Sequence, residues 1–257
     1  MSDTRDIDRW GRAAAGSPLQ TAFEAAYRNW FRVEWEGLES IPREGGALVV
    51  SNHAGMLPMD GGFITQGILE ATDRPVYSLA HDGFFRFPFI GQTIARTGGV
   101  VGHPDNAHRL LTEDRALVLV FPEGAKGPTK PPSERYRLQR FGRGGFVETA
   151  MRAGVPVYPI ALMGTEDATP IFRVFRVAGQ DVPITWNSLL FGPVLGAFAQ
   201  FPVKIRGRVL APHHFDQPTG LDSYPRHVVM AEAEKIRSSL QAALDDLHAR
   251  RTSRWTG

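Results

Sequence analysis

The sequence of 257 residues contains no cysteine, which excludes disulfide bonds, thiolate metal sites and a cysteine nucleophile. It also lacks any run of roughly 18 or more apolar residues, so we expect no membrane-spanning helix. Residues 1–10 carry charges of both signs and no apolar core, and we expect no secretory signal there. The formal net charge of +2 at pH 7 does not indicate bulk nucleic-acid binding.

Several motifs of common enzyme classes are absent as well. The sequence has neither a GxxxxGK[ST] phosphate loop nor a GxGxxG turn after a strand, which argues against the usual nucleotide folds. A G-x-S-x-G nucleophile elbow is also missing, and this disfavours a serine hydrolase.

Short apolar runs alternate with helix-like stretches along most of the chain. This alternation predicts an α/β sheet covered by helices on both faces. Strands are predicted at 47–51, 75–80, 98–102, 116–121, 155–163 and 203–210, and helices at 60–70, 84–96, 104–113, 143–153 and part of 184–199.

Two further helical segments flank this core. Residues 18–35 are amphipathic and rich in aromatic side chains, so they either dock on the domain or lie in a membrane interface. Residues 224–249 repeat apolar positions every three or four residues, which predicts a helix docked on the domain. The uncharged stretch 189–203 is too short to span a membrane, and we expect it to be buried, with membrane contact as the alternative.

The stretch SNHAGMLPMDG, residues 51–61, follows a predicted strand and contains a histidine and an aspartate. On one straight helix His53 and Asp60 would be about 10.5 Å apart along the axis, too far for a hydrogen bond. They meet only if the chain turns back between them, and Gly55 and Pro58 permit such a turn. Taken alone, the pair favours a structural histidine near a helix cap over a working dyad.

The stretch FPEGAKGPTK, residues 121–130, follows the predicted strand ALVLV. It combines an acid, Glu123, with tight-turn residues and two cations, Lys126 and Lys130. Backbone N–H groups freed by glycines, beside a cation, can hold a phosphate or a developing oxyanion. Taken alone, this pattern also fits an ordinary surface loop.

The two stretches together, in this order and separation, resemble the lysophospholipid/glycerol-phosphate acyltransferase family. An N-H…D motif after one strand is followed about 70 residues later by F-P-E-G after another. GGVVGHPDNAHRLL (98–111) is similar to the second motif of that family, and VPVYPIALMG (155–164) to its fourth. GRGGFVETAMRAG (142–154) reads like the helix that leads into the fourth motif. The resemblance covers about residues 38–211.

This resemblance implies a single α/β domain with a mixed, largely parallel sheet. The predicted organisation is an N-terminal helical segment at 1–37, an acyltransferase core at 38–211 and a C-terminal helical extension at 212–257. The implied chemistry is transfer of an acyl group from a thioester donor, acyl-CoA or acyl carrier protein, to a hydroxyl of a glycerolipid such as a lysophospholipid. His53 would be the general base and Asp60 would orient it. The implied substrate-binding residues are Asn52, Arg109, Glu123, Gly124 and Lys126.

Three departures from the family pattern bear on the acceptor. The spacing between His53 and Asp60 is longer than in most members and looks like a sub-branch with N-H-x-G-x-x-P-x-D. The arginine often found in the second motif is absent, with Arg109 among the nearby cations, and Lys126 replaces an arginine of the third motif. Lysine holds phosphate as a point charge rather than as a bidentate fork. A neutral acceptor, such as a diacylglycerol or a long-chain alcohol, therefore stays open.

The expected partners follow from this chemistry. We expect a membrane surface as a partner, with the protein cytoplasmic and peripheral on the inner face of the membrane, and we expect no metal, no cofactor and no nucleic acid. A row of arginines in SERYRLQRFGRGG (133–145) is either a solvated face or a contact for coenzyme A phosphates, acyl carrier protein or lipid headgroups. The competing functions are a non-catalytic lipid-binding protein on the same fold and a thioester hydrolase.

Overall fold

The structure, a computed structural model, describes residues 7–14, 16–54, 59–177 and 179–257. Its strands are β1 Glu34–Glu36, β2 Ala47–Ser51, β3 Val76–Ala80, β4 Gly99–Val101, β5 Leu117–Val120, β6 Val157–Met163, β7 Ile171–Val177, β8 Gln180–Thr185 and β9 Arg206–Val209. Its helices are α1 Pro18–Ala25, α2 Met59–Thr72, α3 Pro88–Arg96, α4 Pro104–Thr112, α5 Gly145–Ala153, α6 Thr165–Ala168, α7 Trp186–Phe191, α8 Pro193–Phe198 and α9 Arg226–Ala249.

Seven strands form one sheet in the order β1-β9-β6-β2-β5-β3-β4, and β7 pairs with β8 in a separate hairpin. Strands β2 to β6 of the large sheet run parallel, whereas β9 is antiparallel to β6 and parallel to β1. The predicted α/β class with a mixed, largely parallel sheet is therefore confirmed. The domain boundaries after residues 37 and 211 stay a prediction.

The central strands are buried on both faces because helices cover each face. Leu48 and Val50 belong to one hydrophobic cluster, with side chains of α4, α5 and α9. Ala47 and Val49, which point the other way, belong to the second cluster, with side chains of α2 and of the N-terminal segment. This two-sided burial explains why the strand sequences read as continuous apolar runs.

Three predicted helices differ from those observed. The helix predicted at 84–96 begins only at Pro88, because the residue before a proline avoids helical backbone, and a 3₁₀ turn, Asp82–Arg86, precedes it. The helix predicted at 18–35 ends in a π-helical turn at Trp30, and Arg32 with φ of 46° leads the chain into β1. The helix predicted within 184–199 is divided into α7 and α8 at Gly192.

The terminal helical segments dock on the domain. Tyr27 and Phe31 are buried against Phe63 of α2, although the neighbouring Trp30 is half exposed. The C-terminal helix α9 begins one residue after Pro225 and buries its predicted apolar face. Its buried apolar positions include Val229, Ala233, Ile236, Leu240, Leu244 and Leu247.

The segment 189–203 is not buried as predicted. Its residues in α7 and at the start of α8 expose large apolar side chains, whereas Val203, near the return to the sheet, is fully buried. The hairpin of β7 and β8, which the sequence did not predict, leads into this exposed segment. None of the helices in the described part of the chain is long and apolar enough to cross a membrane.

Trp35 on β1 fills a tight space between two glycines. Its indole N–H donates to Tyr27 Oη at 2.7 Å, and its ring lies against Gly67 of α2 and Gly207 of β9. A Cβ added at Gly207 would overlap the ring. We therefore expect Gly207→Ala to lower the free energy of unfolding by about 1–3 kcal/mol. Urea denaturation measures this change.

The matched control is Gly145→Ala, since a Cβ added at Gly145 meets nothing within 4 Å. Equal stability of the two variants would show that the indole ring is not confined by Gly207.

Candidate active site

Because β2 and β5 run in the same direction, the polar segments that follow them lie at one edge of the sheet. β2 ends at Ser51 and β5 ends at Val120, and the two strands are neighbours. The residues that follow them, Asn52 and His53 in one case and Phe121 to Lys130 in the other, therefore lie side by side. This carboxyl edge is where α/β sheets commonly place their functional loops.

His53 and Asp60 are in direct contact. His53 Nδ1 lies 2.6 Å from Asp60 Oδ2, and the same oxygen accepts a hydrogen bond of 2.9 Å from the backbone N–H of Ala54. Asp60 belongs to α2, and the predicted contact between His53 and Asp60 is present. The turn predicted at Gly55 and Pro58 lies outside the described residues.

Asp60 occupies the first turn of α2, where the helix dipole favours a carboxylate. Its side chain is 0% exposed, whereas 18% of the His53 side chain is exposed. The other carboxylate oxygen, Oδ1, accepts from the backbone N–H of Gly61 at 2.9 Å. The aspartate is thus an interior group, and the imidazole reaches from it towards the surface.

Two residues of the loop after β5 confine the His53 side chain. The Phe121 ring stacks on the imidazole with 4.4 Å between ring centroids and 20° between planes. A Cβ added at Gly127 would lie 2.8 Å from the His53 Cβ, so only glycine allows this approach. The loop therefore fixes the imidazole against Asp60.

Burial and the aspartate act in opposite directions on the imidazole. Burial lowers the pKa of His53, whereas the charge of Asp60 and its hydrogen bond raise this pKa. The second effect is larger, so the pKa of His53 is raised from the ordinary 6.5. With Nδ1 held by the carboxylate, Nε2 is the nitrogen that can accept a proton from another molecule. This arrangement can serve as a general base.

Glu123 lies beneath the dyad and has a fully buried carboxylate. Oε1 accepts from the backbone N–H of His53 at 2.9 Å, and Oε2 accepts from the backbone N–H of Gln139 at 2.7 Å. Lys130 Nζ lies 3.4 Å from Oε2. These contacts make Glu123 an interior link between His53 and its own loop, and the predicted substrate-binding role of Glu123 stays a prediction.

Asn52 is also an interior residue. Its side-chain amide donates to the Leu162 carbonyl at 2.9 Å and accepts from the Leu162 N–H at 2.8 Å, so it joins the end of β2 to β6. Both ends of the amide are engaged in the interior, and the predicted substrate-binding role of Asn52 stays a prediction.

Lys130 balances two buried carboxylates. Its ammonium lies 2.9 Å from Glu166 Oε1 in addition to its contact with Glu123. Burial lowers the pKa of Lys130, but the two carboxylates raise it more, so the net shift is upward and the lysine stays charged. Glu166 also accepts from the backbone N–H of Tyr136 at 2.8 Å. Glu123, Lys130 and Glu166 thus form one network of charged side chains, which runs from the loop after β5 to the segment after β6.

The segment after α9 also contributes an ion pair to this network. Asp167, which is buried, accepts from the Tyr136 hydroxyl at 2.6 Å and pairs with Arg135 and Arg251. Arg251 follows α9 and is almost fully buried. The arrangement anchors the last residues of the chain to the loop that carries Glu123.

The remaining predicted site residues lie farther out. Gly124 and Lys126 are exposed in a 3₁₀ turn, Gly124–Lys126, on the rim of the site. Arg109, on α4, pairs with Glu113 at 3.3 Å and lies over the Trp10 ring. Neither partner belongs to the group around His53, and the substrate-binding role of Arg109 stays a prediction.

Sequence reasoning missed the parts played by Phe121, Lys130 and Glu166. Phe121 begins the F-P-E-G motif, and the sequence pattern marks Lys130 only as one of two cations in the loop. Glu166 follows the fourth motif directly, so acidic residues after a buried strand were an available signal. Across residues 7–14, 16–54, 59–177 and 179–257, no group of three or more His, Asp or Glu side chains is placed to hold a metal ion.

Comparison with known proteins adds a family and several relatives. A family model described as Acyltransferase matches residues 32–163. A Mycobacterium tuberculosis protein that carries the description uncharacterized is 36% identical over 238 residues, covering 90% of this chain and 66% of its own length. The chain thus spans just under two thirds of that relative.

Two relatives have names that describe an activity. A Bos taurus protein described as "DGAT1/2-independent enzyme synthesizing storage lipids" is 25% identical over 232 residues, 90% of this chain and 64% of its own length. An Arabidopsis thaliana protein, "1-acyl-sn-glycerol-3-phosphate acyltransferase LPAT1, chloroplastic", is 30% identical over 151 residues, 55% of this chain and 38% of its own length.

Lys130 and Lys126 lie in the same loop but in opposite environments, buried and exposed. Lys130→Met leaves two buried carboxylates without their cation, and we expect it to lower the free energy of unfolding by about 3–5 kcal/mol. Lys126→Met is the matched control, with an expected change within about 0.5 kcal/mol. Chemical denaturation of both variants measures the difference, and similar values for the two would contradict the buried ion network.

Proposed function

Since the chain belongs to the Acyltransferase family, we propose that it transfers a fatty acyl group from an acyl thioester to a hydroxyl of a glycerolipid. The family confirms the resemblance drawn from the motifs, and His53, Asp60 and the F-P-E-G loop all lie within the matched residues 32–163. The observation that carries the proposal is the imidazole of His53, paired at Nδ1 with a buried carboxylate and partly exposed at the carboxyl edge.

The proposed reaction has two proton transfers. His53 Nε2 removes the proton of the acceptor hydroxyl while its oxygen attacks the thioester carbonyl carbon. Asp60 holds the imidazole in the required tautomer and stabilises the imidazolium that forms. The tetrahedral intermediate then expels the thiolate, which takes the proton from His53. The products are an ester and a free thiol, and no acyl-enzyme intermediate is needed.

We infer that the donor is acyl-CoA or acyl carrier protein. Lys126 is an exposed cation in the loop that begins with F-P-E-G, next to the dyad. Its ammonium can hold a phosphate of the donor or the acceptor or support the developing oxyanion. Gly124, in the same turn, has a positive φ of 56°, which lets the backbone fold tightly at this rim.

The acceptor is proposed as a glycerolipid with a free hydroxyl, such as a lysophospholipid, and a neutral acceptor is the second candidate. The Arabidopsis relative is named for a phosphorylated acceptor, whereas the Bos taurus relative is named for storage lipids. A neutral acceptor is favoured by one observation: Arg109 is engaged by Glu113 and Trp10 rather than by the group around His53. A panel of phosphorylated and neutral acceptors with labelled acyl-CoA separates the two candidates.

We further propose that the protein acts in the cytoplasm at the inner face of a membrane. The support is chemical, because the acceptors are amphiphiles that reside in bilayers and the thioester donors are cytoplasmic.

His53→Ala removes the general base, and we expect it to lower kcat for acyl transfer by about 10²–10⁴. Labelled acyl-CoA and the best acceptor of the panel give the measurement. His214→Ala is a suitable control, since His214 is exposed and follows β9 at the other side of the molecule.

Equal activity of His53→Ala and wild type would overturn the mechanism. Release of free fatty acid without any acceptor would identify a thioester hydrolase instead. Lipid binding with no turnover on any acceptor, unchanged in Asp60→Asn, would identify a non-catalytic lipid-binding protein.

The pH profile tests the pairing with Asp60. The base acts only when neutral, so kcat/KM should rise with pH through a pKa above the ordinary 6.5. In Asp60→Asn the charge that raises the pKa of His53 is lost while burial still lowers it. We expect this limb to move to lower pH and the plateau to fall. An unshifted limb with a lowered plateau would show that another group titrates.

A further inference from the structure

Two exposed apolar segments flank the candidate active site. The first, which we call the arm, comprises the β7–β8 hairpin and helices α7 and α8. Its exposed apolar side chains are Phe172, Phe175, Val177, Val182, Trp186, Leu189, Leu190, Phe191 and Leu195. The second, the phenylalanine turn, spans residues 84–90 and exposes Phe84, Phe87, Phe89 and Ile90. Large contiguous apolar surface of this kind marks an interaction site.

The arm belongs to the same edge of the sheet as His53. β6 ends at Met163 on the carboxyl edge, and α6 and the arm follow it. The chain returns at Phe201, whose N–H donates to the Ala168 carbonyl at 2.9 Å, and then enters β9. Because β9 is antiparallel to β6, it starts at the edge where β6 ends. The arm therefore leaves the sheet at the carboxyl edge and returns to it at the same edge.

The phenylalanine turn lies at this edge too, on the other side of the site. It follows β3, which runs parallel to β2 and β5 and ends at Ala80. In the strand order β6-β2-β5-β3, the two strands that carry His53 and Glu123 lie between the strands that lead to the arm and to the turn. At about 4.8 Å per strand, β6 and β3 are roughly 14 Å apart.

Exposed arginines accompany the apolar side chains. Arg173 and Arg176 are exposed on β7, and the guanidinium of Arg173 lies over the Phe175 ring. Arg254 is exposed beside Trp186 and Leu190, with which it lines one shallow cavity. The combination of aromatic, aliphatic and basic side chains is that of a surface that enters the headgroup region of an anionic bilayer.

We propose that the arm and the phenylalanine turn together dock the protein on an anionic lipid surface, with the carboxyl edge of the sheet facing the bilayer. This inference deepens the proposed function and rests on it in one respect: the acceptor is taken to be a lipid. A glycerolipid hydroxyl lies at the headgroup level, and docking on both sides of the site would bring that hydroxyl to His53 without extraction of the lipid.

The test is flotation of the full chain with vesicles of phosphatidylcholine alone or mixed with phosphatidylglycerol. Phe89→Ser and Leu190→Ser probe one segment each, and their side chains are 87% and 63% exposed. Leu221→Ser is the matched control, because Leu221 is 52% exposed but lies at the opposite edge, next to the end of α5. Equal thermal midpoints for all variants show that each one is folded.

We expect wild type to float with the mixed vesicles and Leu221→Ser to match it. Phe89→Ser and Leu190→Ser should each lower the partition coefficient by about 10-fold, since each removes one inserted side chain. The pair Arg173→Ala and Arg176→Ala should lower binding to the mixed vesicles by about 5-fold per arginine and leave binding to phosphatidylcholine unchanged.

Three results would overturn the docking proposal. Wild type that floats with neither vesicle would do so, as would Phe89→Ser and Leu190→Ser variants that float like wild type. Dimerisation of wild type that Leu190→Ser abolishes, with flotation unaffected, would make the arm a protein interface instead.

The docking proposal and the proposed function fail separately. Protein that floats through these two segments but transfers no acyl group on any acceptor retains the docking surface and loses the proposed function. Protein that acylates a dispersed short-chain acceptor but does not float retains the function and loses the docking surface.

Discussion

A buried carboxylate, that of Glu123, holds the candidate site together. An ionised carboxylate is costly to bury unless hydrogen bonds and a cation compensate for its lost water. Glu123 obtains both from the N–H of His53 after β2 and from its own long loop after β5, which supplies the N–H of Gln139 and the ammonium of Lys130. The carboxylate thus ties that loop to itself and to the end of β2. The backbone position of His53 is therefore set by an electrostatic requirement in the interior.

The dyad is confined by α2 and by the loop after β5, while part of the imidazole stays exposed. Asp60 is fixed by backbone donors and by its place in the first turn of α2, and it orients one nitrogen of the imidazole. Phe121 and Gly127 then restrict the ring from the loop after β5. An imidazole held in this way is preorganised, and preorganisation is the general advantage of a site that transfers a proton.

The sequence predicted the alternating fold from local periodicity, and the contact between His53 and Asp60 through the family resemblance that short motifs carry. Strand periodicity, a turn between two polar residues and the F-P-E-G loop are all visible in short windows. The pairing of Lys130 with Glu166 depends instead on how β5 and β6 are placed on either side of β2, which no local window contains. The inward orientation of Glu123 and Asn52 was missed for the same reason, since a polar residue in a loop motif reads as a substrate ligand until its burial is known.

The exposed arm was mispredicted for a different physical reason. The apolar content of a segment does not distinguish side chains that pack in a protein core from side chains that insert into lipid, because both environments exclude water. Leu190 and Val203 belong to the same uncharged stretch, yet one is exposed and the other is fully buried. What separates them is their place relative to the sheet: Val203 lies at the return to β9, whereas Leu190 projects beyond the edge. One edge of this protein thus combines ion pairs that are buried beneath the site with apolar side chains that are exposed around it. In most proteins charged side chains are exposed and large apolar side chains are buried. The opposite arrangement at this edge fits a site whose opening faces lipid rather than water.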